Sequence, residues 1–119
     1  MKVINLGEHS SVINCHMAQL RDVNTQGNKT LFRRNMERVA RAMAYEVSRT
    51  LHYSEKDITT PLGVKKVPTY DDRIVVGTVL RAGLAFHEGF LDTFDQADSA
   101  FVAAYREEGY KEDIKIHGT

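Results

Sequence analysis

Residues 73–106 read RIVVGTVLRAGLAFHEGFLDTFDQADSAFVAAYR, and their pattern is the most informative in the sequence. Its first part, residues 74–80, is a nearly continuous β-branched run, which is typical of a strand buried on both faces. A helical pattern through Phe90 and Phe94 follows, and a second apolar run over residues 100–105 completes the stretch. Strand, helix and strand in this order predict a βαβ unit with parallel strands and a right-handed crossover.

Two arginines stand just past the two predicted strands, Arg81 after the first and Arg106 after the second. Ligands of open α/β sheets bind at the carboxyl ends of the parallel strands, so we expect both guanidinium groups at one edge. Such groups bind phosphate or carboxylate in bidentate fashion, and the turn Arg81-Ala82-Gly83 leads into a helix N-terminus that favours an anion. The sequence therefore predicts an anion site here. Solvated edge arginines, with a glycine that only ends the strand, remain the alternative.

Two helices are predicted upstream of this core. Ser10-Ser11 supplies the cap of a first helix that ends near Asp22. Thr30 is expected to cap a longer second helix that reaches Leu51, because apolar residues recur there at spacings of three and four. One stripe of this helix is interpreted as core packing rather than as a cofactor site: Met36, Val39, Met43 and Val47.

A hairpin and a terminal strand complete the predicted elements. Residues 56–68 alternate in a β-prone pattern around a Pro-Leu-Gly turn, which predicts a small hairpin or extended arm. Residues 114–116 alternate like a half-exposed strand, and no partner strand follows them in the sequence. We expect one domain in four parts: a helical part (1–55), a hairpin arm (56–68), a βαβ core (73–106) and a flexible arm (107–119).

Composition and charge exclude several classes of protein. The 119 residues contain 16 basic and 16 acidic side chains, so the formal net charge is +0, which argues against nucleic acid or an anionic membrane as partner. No apolar run has the roughly 20 residues of a membrane span, and no signal peptide is recognised. A single cysteine, Cys15, excludes an internal disulfide framework. These features predict a cytoplasmic, single-domain protein.

Several segments, in this order along the chain, resemble uracil phosphoribosyltransferases. The two most informative follow the predicted strands: Val79-Leu80-Arg81-Ala82-Gly83-Leu84 and Tyr105-Arg106-Glu107-Glu108. Shorter matches lie upstream: Leu20-Arg21-Asp22 with Thr25, Glu37-Arg38-Val39, Tyr45-Glu46 and Thr59-Thr60-Pro61-Leu62. Each motif is weak alone, but their collinear occurrence over nearly the whole chain is specific.

The resemblance implies an α/β fold, a phosphoribosyltransferase-type parallel sheet with flanking helices and a β-arm, truncated here after two core strands. It implies that Arg81, Ala82, Gly83 and Arg106 bind the phosphate and pyrophosphate groups of phosphoribosyl pyrophosphate. The family reaction converts uracil and this donor to UMP and pyrophosphate, in UMP salvage, with Mg²⁺ bound through the pyrophosphate. The resemblance also implies a homodimer or a higher homo-oligomer.

This sequence departs from the family pattern downstream. The family's third core strand, with an acidic residue, a proline and a Thr-Gly-rich loop that holds the ribose 5-phosphate, has no match here, and neither has the segment that recognises uracil. The chain therefore resembles the N-terminal part of the enzyme, with no catalytic residue and no metal ligand of its own. We expect little or no turnover from it alone. The alternative function is a non-catalytic nucleotide-binding or oligomerisation fragment.

Some members of the family bind GTP as an activator, and residues of this chain match that effector site. They are Lys29, Arg38 and the loop Asp71-Asp72-Arg73-Ile74. Ordinary solvated surface charges remain the alternative interpretation.

Two further pairs of residues carry no strong prediction. Cys15 and His16 point about 100° apart on a helix, and no further ligands complete a metal set. His87 and Glu88 are interpreted as a pair on a helix surface, although they stand close enough to the anion edge to reach it.

Overall fold

The structure is a computed structural model that describes residues 1–106 and 114–118. Its elements, in chain order, are two helices, a hairpin, and a strand–helix–strand unit followed by a last strand. Their bounds are α1 (Val12–Arg21), α2 (Lys29–Ser48), β1 (Tyr53–Thr60), β2 (Gly63–Tyr70), β3 (Val75–Leu80), α3 (Leu84–Thr93), β4 (Asp98–Arg106) and β5 (Ile114–Gly118).

Side-chain caps set the starts of α1 and α2. The hydroxyl of Ser11 accepts a hydrogen bond from the backbone N–H of Ile13 at 3.2 Å, as the sequence predicted. At α2 the cap is Asn28, whose Oδ1 accepts from the N–H of Leu31 at 3.0 Å. The expectation that Thr30 caps this helix is therefore wrong. Both residue types cap well, and the cap at Asn28 begins the helix two residues earlier than the apolar pattern alone indicates.

The buried face of α2 differs in part from the predicted stripe. Val39 is buried as expected, but Met43 and Val47 are 39% and 45% exposed. The small side chains of Ala40 and Ala44 are buried instead, because a neighbouring helix approaches α2 closely on that face. The buried face of α2 thus includes the alanines and excludes part of the predicted stripe.

A buried polar contact joins α1 to α2. The amide nitrogen of Asn35, which has no exposed surface, donates to Oε1 of Gln19 at 2.9 Å. Its Oδ1 accepts from Nη1 of Arg38 at 2.9 Å. Both ends of the buried amide are therefore satisfied, which offsets the cost of removing it from water.

β1 and β2 form an antiparallel hairpin that is longer than the predicted segment 56–68. They pair from Tyr53 opposite Tyr70 to Thr60 opposite Gly63. Gly63 follows the two-residue loop with a φ of 133°, a conformation that side-chain-bearing residues rarely adopt. At the base, the ring of Tyr70 contacts that of Tyr53 edge-on at 6.3 Å and that of Phe94, in the core, at 6.0 Å.

The second sheet has the strand order β3-β4-β5. β3 and β4 are parallel, from Val75 opposite Asp98 to Leu80 opposite Ala103, which confirms the predicted βαβ unit. β5 pairs antiparallel with β4, so the strand that lacked a partner downstream has one upstream. Residues 107–113 and 119, which belong to the predicted flexible arm, lie outside the described residues.

α3 packs against α2 through a glycine. A Cβ built on Gly89 would lie 2.5 Å from Cβ of Ala40 and 2.7 Å from the carbonyl oxygen of Glu37. The helices approach so closely there that only hydrogen fits. Phe94, at the end of α3, is 2% exposed and anchors the core. Among the described residues, no helix combines the length and the apolar character that a bilayer span requires.

Candidate functional site

The carboxyl edge of the β3–β4 pair brings together the two segments that the sequence singled out. Arg81 directly follows Leu80, the last residue of β3, and Leu80 pairs with Ala103. Arg106 ends β4 three residues beyond Ala103, which places its backbone about 10 Å farther along the strand direction. Both backbone segments therefore lie at the same edge, at different heights. The side chain of Arg106 lies outside the described structure.

Arg81 presents an available cation at this edge. Its side chain is exposed, and within the described ranges its guanidinium has no hydrogen-bond or ion-pair partner. The peptide bond between Leu80 and Arg81 is cis. By contrast, Arg73, at the opposite end of the sheet, donates from Nη2 to Asp98 at 2.8 Å. Among the described residues, no acidic side chain therefore neutralises the charge of Arg81.

The loop after Arg81 leaves backbone donors open. Inside the loop, the N–H of Gly83 donates to the carbonyl of Val79 at 3.0 Å, and that of Leu84 donates to Arg81 at 3.2 Å. The N–H groups of Ala82, Ala85 and Phe86 have no partner in the part of the chain that the structure describes. These orphan donors at the start of α3, with the positive end of the helix dipole, favour an anion.

Gly83 is required by close packing. A Cβ built on it would lie 2.7 Å from Cγ2 of Thr78 and 2.8 Å from the carbonyl oxygen of Val79. No side chain fits between them unless the loop moves. The glycine thus allows the loop to fold back against the end of β3.

His87 occupies a different environment from the one predicted. It is 3% exposed, so its interpretation as part of a helix surface pair is wrong, whereas Glu88 is exposed. One ring nitrogen, Nδ1, lies 2.6 Å from Oγ1 of Thr78, and the other, Nε2, lies 3.0 Å from Oγ of Ser99. The signal was present in the periodicity: His87 precedes the buried Phe94 by seven residues, two helical turns.

An apolar cavity of about 540 Å³ lies beside the loop, between β3, α3 and Val47 of α2. Its lining is mostly valine and phenylalanine, with Thr78 and His87 as polar members. Such a lining offers a phosphate group too few donors to replace its water. Ala82 and Gly83 of the loop line the same cavity, so the loop borders it on one side.

The acidic residues of the loop Asp71-Asp72-Arg73-Ile74 serve the base of the hairpin. Asp71 accepts from the hydroxyl of Ser54 at 2.6 Å and lies 2.9 Å from Nζ of Lys56, and the Ser54 bond foremost lowers the pKa of this carboxyl. Hydrogen bonds from the ring and backbone of His52 likewise lower the pKa of Asp72. This loop stands at the amino edge of β3, opposite Arg81.

The predicted effector residues are spread over separate places. Lys29 begins α2, and Arg38 lies nine residues later, about 13 Å along the helix axis. Within residues 1–106 and 114–118, no hydrogen bond or ion pair joins either of them to the loop at the hairpin base. The GTP site stays a prediction.

Cys15 and His16 gain no partners that indicate a metal centre. Cys15 is exposed and carries a free thiol. In the described portion of the chain, no three His, Cys, Asp or Glu side chains come close enough together to hold a metal ion.

Comparison with known proteins gives a consistent family. The family model "Uracil phosphoribosyltransferase" matches residues 8–117. The chain is 44% identical over 117 residues to the uracil phosphoribosyltransferase of Porphyromonas gingivalis, covering 98% of this chain and 54% of that protein. The corresponding protein of Sulfolobus acidocaldarius is 36% identical over 108 residues, covering 84% of this chain and 49% of its own length.

A solved structure shows the same fold. The AQ2163 protein from Aquifex aeolicus superposes with a TM-score of 0.71 at 24% sequence identity, over 92% of this chain and 51% of that one. The chain thus spans about half the length of the curated relatives it matches. The family match over most of its residues, with this fold, identifies the chain as a member of the uracil phosphoribosyltransferase family.

Proposed function

We propose that the protein to which this chain belongs transfers the ribose 5-phosphate unit of phosphoribosyl pyrophosphate to uracil, giving UMP and pyrophosphate in pyrimidine salvage. The observation that carries the proposal is the loop Arg81-Ala82-Gly83 at the carboxyl edge of a parallel sheet, in a chain of this family. Its cation and its open amides have no partner among the described residues. This chain would supply the half of the donor site that holds the pyrophosphate.

The proposed role of this loop is electrostatic. In the reaction, the bond from the ribose carbon to the pyrophosphate oxygen breaks, a bond from that carbon to a uracil nitrogen forms, and the nitrogen loses its proton. Negative charge grows on the departing pyrophosphate. The N–H groups of Ala82 and Ala85 are held by the backbone before the reaction, so they would stabilise this charge without reorganising, and the guanidinium of Arg81 would add its positive charge. Arg106 is proposed as a second cation on the same group.

Mg²⁺ is proposed as an ion that arrives on the pyrophosphate of the substrate. The described residues provide no cluster of carboxylates for a resident ion, and an ion carried by the substrate needs none. When bound, the ion would neutralise part of the pyrophosphate charge. The binding role assigned here to Arg81 does not depend on it.

The test is formation of UMP from uracil and phosphoribosyl pyrophosphate with Mg²⁺, measured by chromatography. A chain extended beyond Thr119 should form UMP, and Arg81→Ala should lower its kcat/KM by about 100-fold or more. Arg33→Ala is a matched control, because Arg33 is an exposed arginine on α2, away from the sheet edge. Absence of UMP from the extended chain would contradict the proposal. The 119-residue chain alone is expected to show little or no turnover.

A second candidate function is a non-catalytic oligomerisation fragment. The hairpin favours it, since Ile58, Leu62 and Val64 are exposed and a two-stranded hairpin alone is marginally stable in water. We propose a homodimer or a higher homo-oligomer for either function. Analytical ultracentrifugation separates the outcomes: a stable monomer at micromolar concentration contradicts self-association, and an oligomer that binds no phosphoribosyl pyrophosphate favours the fragment function.

GTP is proposed as an effector on the match of Lys29, Arg38 and the loop Asp71-Asp72-Arg73-Ile74 to the family's site. Titration calorimetry tests it: GTP should bind, and Lys29→Ala and Arg38→Ala should each weaken that binding but not the binding of pyrophosphate. Equal GTP affinity in both variants would refute this assignment. The proposed place of action is the cytoplasm, supported by the free, exposed thiol of Cys15.

A further inference from the structure

A buried histidine ties three elements together beneath the anion loop. His87, on α3, reaches Thr78 on β3 through Nδ1 and Ser99 on β4 through Nε2. Its ring also lies against that of Phe101, with centroids 4.7 Å apart. In the neutral ring one nitrogen donates and the other accepts, and a hydroxyl can complement either role. The reaction as proposed uses none of these side chains.

The hydrogen bond between His87 and Thr78 also orients the methyl group of Thr78. Thr78 is buried, and a single torsion places both of its γ atoms, so directing Oγ1 to His87 also decides where the methyl group points. That methyl lies where a Cβ on Gly83 would be only 2.7 Å away, directly under the loop. The backbone N–H of His87 also donates to the carbonyl of Gly83 at 2.9 Å, so the same residue holds the loop from two sides.

We propose that His87 is a positioning residue for pyrophosphate binding: through Thr78 it fixes the backbone of Ala82 and Gly83 at the height where the loop amides meet the anion. The proposal rests on the proposed function of the loop. Of the two ring contacts, the one to Thr78 positions the loop backbone. The contact to Ser99 ties α3 to β4 and does not reach the loop.

Amide side chains separate the two contacts. Asn at position 87 places an amide atom near the position of Nδ1, and Gln places one near that of Nε2. His87→Asn thus keeps a partner for Thr78, His87→Gln keeps one for Ser99, and Ser99→Ala removes the second contact without touching the ring. The 119-residue chain and these variants are titrated with inorganic pyrophosphate by calorimetry, and urea unfolding identifies conditions in which each is folded.

The expected result is a Kd raised about tenfold or more in His87→Gln, because a displaced loop no longer meets the anion. His87→Asn and Ser99→Ala should stay within about threefold of the parent Kd. If His87 only stabilised the fold, the variants would differ in their free energy of unfolding, and the folded proteins would all bind pyrophosphate with equal affinity. Parent affinity in His87→Gln, or equal weakening in His87→Asn, overturns the proposal.

A second measurement does not need a ligand. In a nitrogen–proton correlation spectrum, the amide resonance of Gly83 should move in His87→Gln and stay in place in Ser99→Ala. If His87→Gln does not fold, Thr78→Val gives the same readout, because it keeps the shape and removes the hydroxyl. An unmoved Gly83 resonance overturns the positioning role. If the parent chain binds no pyrophosphate, the proposed donor site fails, while this spectrum still decides whether His87 sets the loop.

Discussion

Gly83→Ala is the substitution that most directly tests the geometry of the anion loop. The added Cβ would lie 2.7 Å from Cγ2 of Thr78 and 2.8 Å from the carbonyl oxygen of Val79, whereas ordinary contact begins at 3.4 Å. The loop must therefore move by about 0.6–0.7 Å. The carbonyl cannot rotate aside, because it accepts the hydrogen bond from the N–H of Gly83 itself.

Two quantities should change together. Overpacking of this kind costs about 1–3 kcal/mol of unfolding free energy. For a chain of this size, that is a fall in Tm of roughly 4–12 °C. The same displacement should weaken pyrophosphate binding by about tenfold or more, because the loop amides no longer meet the anion together. Circular dichroism during heating measures the first quantity, and calorimetric titration measures the second.

A double substitution tests the cause. Thr78→Ser removes the methyl group that meets the new Cβ. The substitution should therefore lower the unfolding free energy less in the Gly83→Ala background than in the parent. The overlap with Val79 remains, so the recovery is partial. Gly27→Ala is the control, because among the described atoms none lies within 4 Å of a Cβ there. A Gly83→Ala protein with parent Tm and parent affinity would refute this description of the loop.

Three further substitutions test the packing and the charges. Gly89→Ala should destabilise by about 1–3 kcal/mol in urea unfolding, because its Cβ would lie 2.5 Å from Ala40, while Gly77→Ala, with open space, should not. Asn35→Ala should cost about 1–3 kcal/mol in the same assay, since it removes both hydrogen bonds of a buried amide, one of them to a charged guanidinium. The contacts of Asp71 lower its pKa, so they stabilise the folded chain above the ordinary value near 3.8 and are lost as the pH falls below it. Asp71→Asn removes this contribution, so the stability of the variant, followed by circular dichroism, should fall less on acidification.

Each of these predictions has an outcome that contradicts it. Equal stability of the two glycine variants would show that α2 and α3 are not in close contact. An Asn35→Ala protein as stable as the parent would show that water satisfies the amide's partners. An unchanged acid transition in Asp71→Asn would mean that its bonds to Ser54 and Lys56 do not stabilise the folded chain.

The sequence predicted the elements whose signals are local. The β-branched run of β3 and the helical spacing of α3 identified the βαβ unit, and with it the shared edge of Arg81 and Arg106. Ser11 was recognisable as a cap because its side chain acts on its own neighbours. In each case the deciding interaction spans only a few residues, or follows from the general handedness of parallel strands.

The remaining features depend on contacts between distant segments. The partner of β5 lies upstream on β4, and the alternating pattern of 114–116 cannot say which strand it joins. The helical spacing to Phe94 places His87 on the buried face, but only the register of the strands shows that Thr78 and Ser99 lie on either side of it. Likewise, α3 packs closely on Ala40 of α2 through Gly89, so Ala40 is buried there while Met43 stays exposed.

The length of the hairpin converts a small change of angle at its base into a large displacement of its tip. β1 and β2 pair over eight residues, which is a length of about 27 Å from base to tip. A change of about 10° in the angle at the base would therefore move the tip, Leu62, by about 5 Å. Tyr70 meets Phe94 at that base, so a small repacking of this ring contact in the core would produce a larger displacement at the far end of the arm.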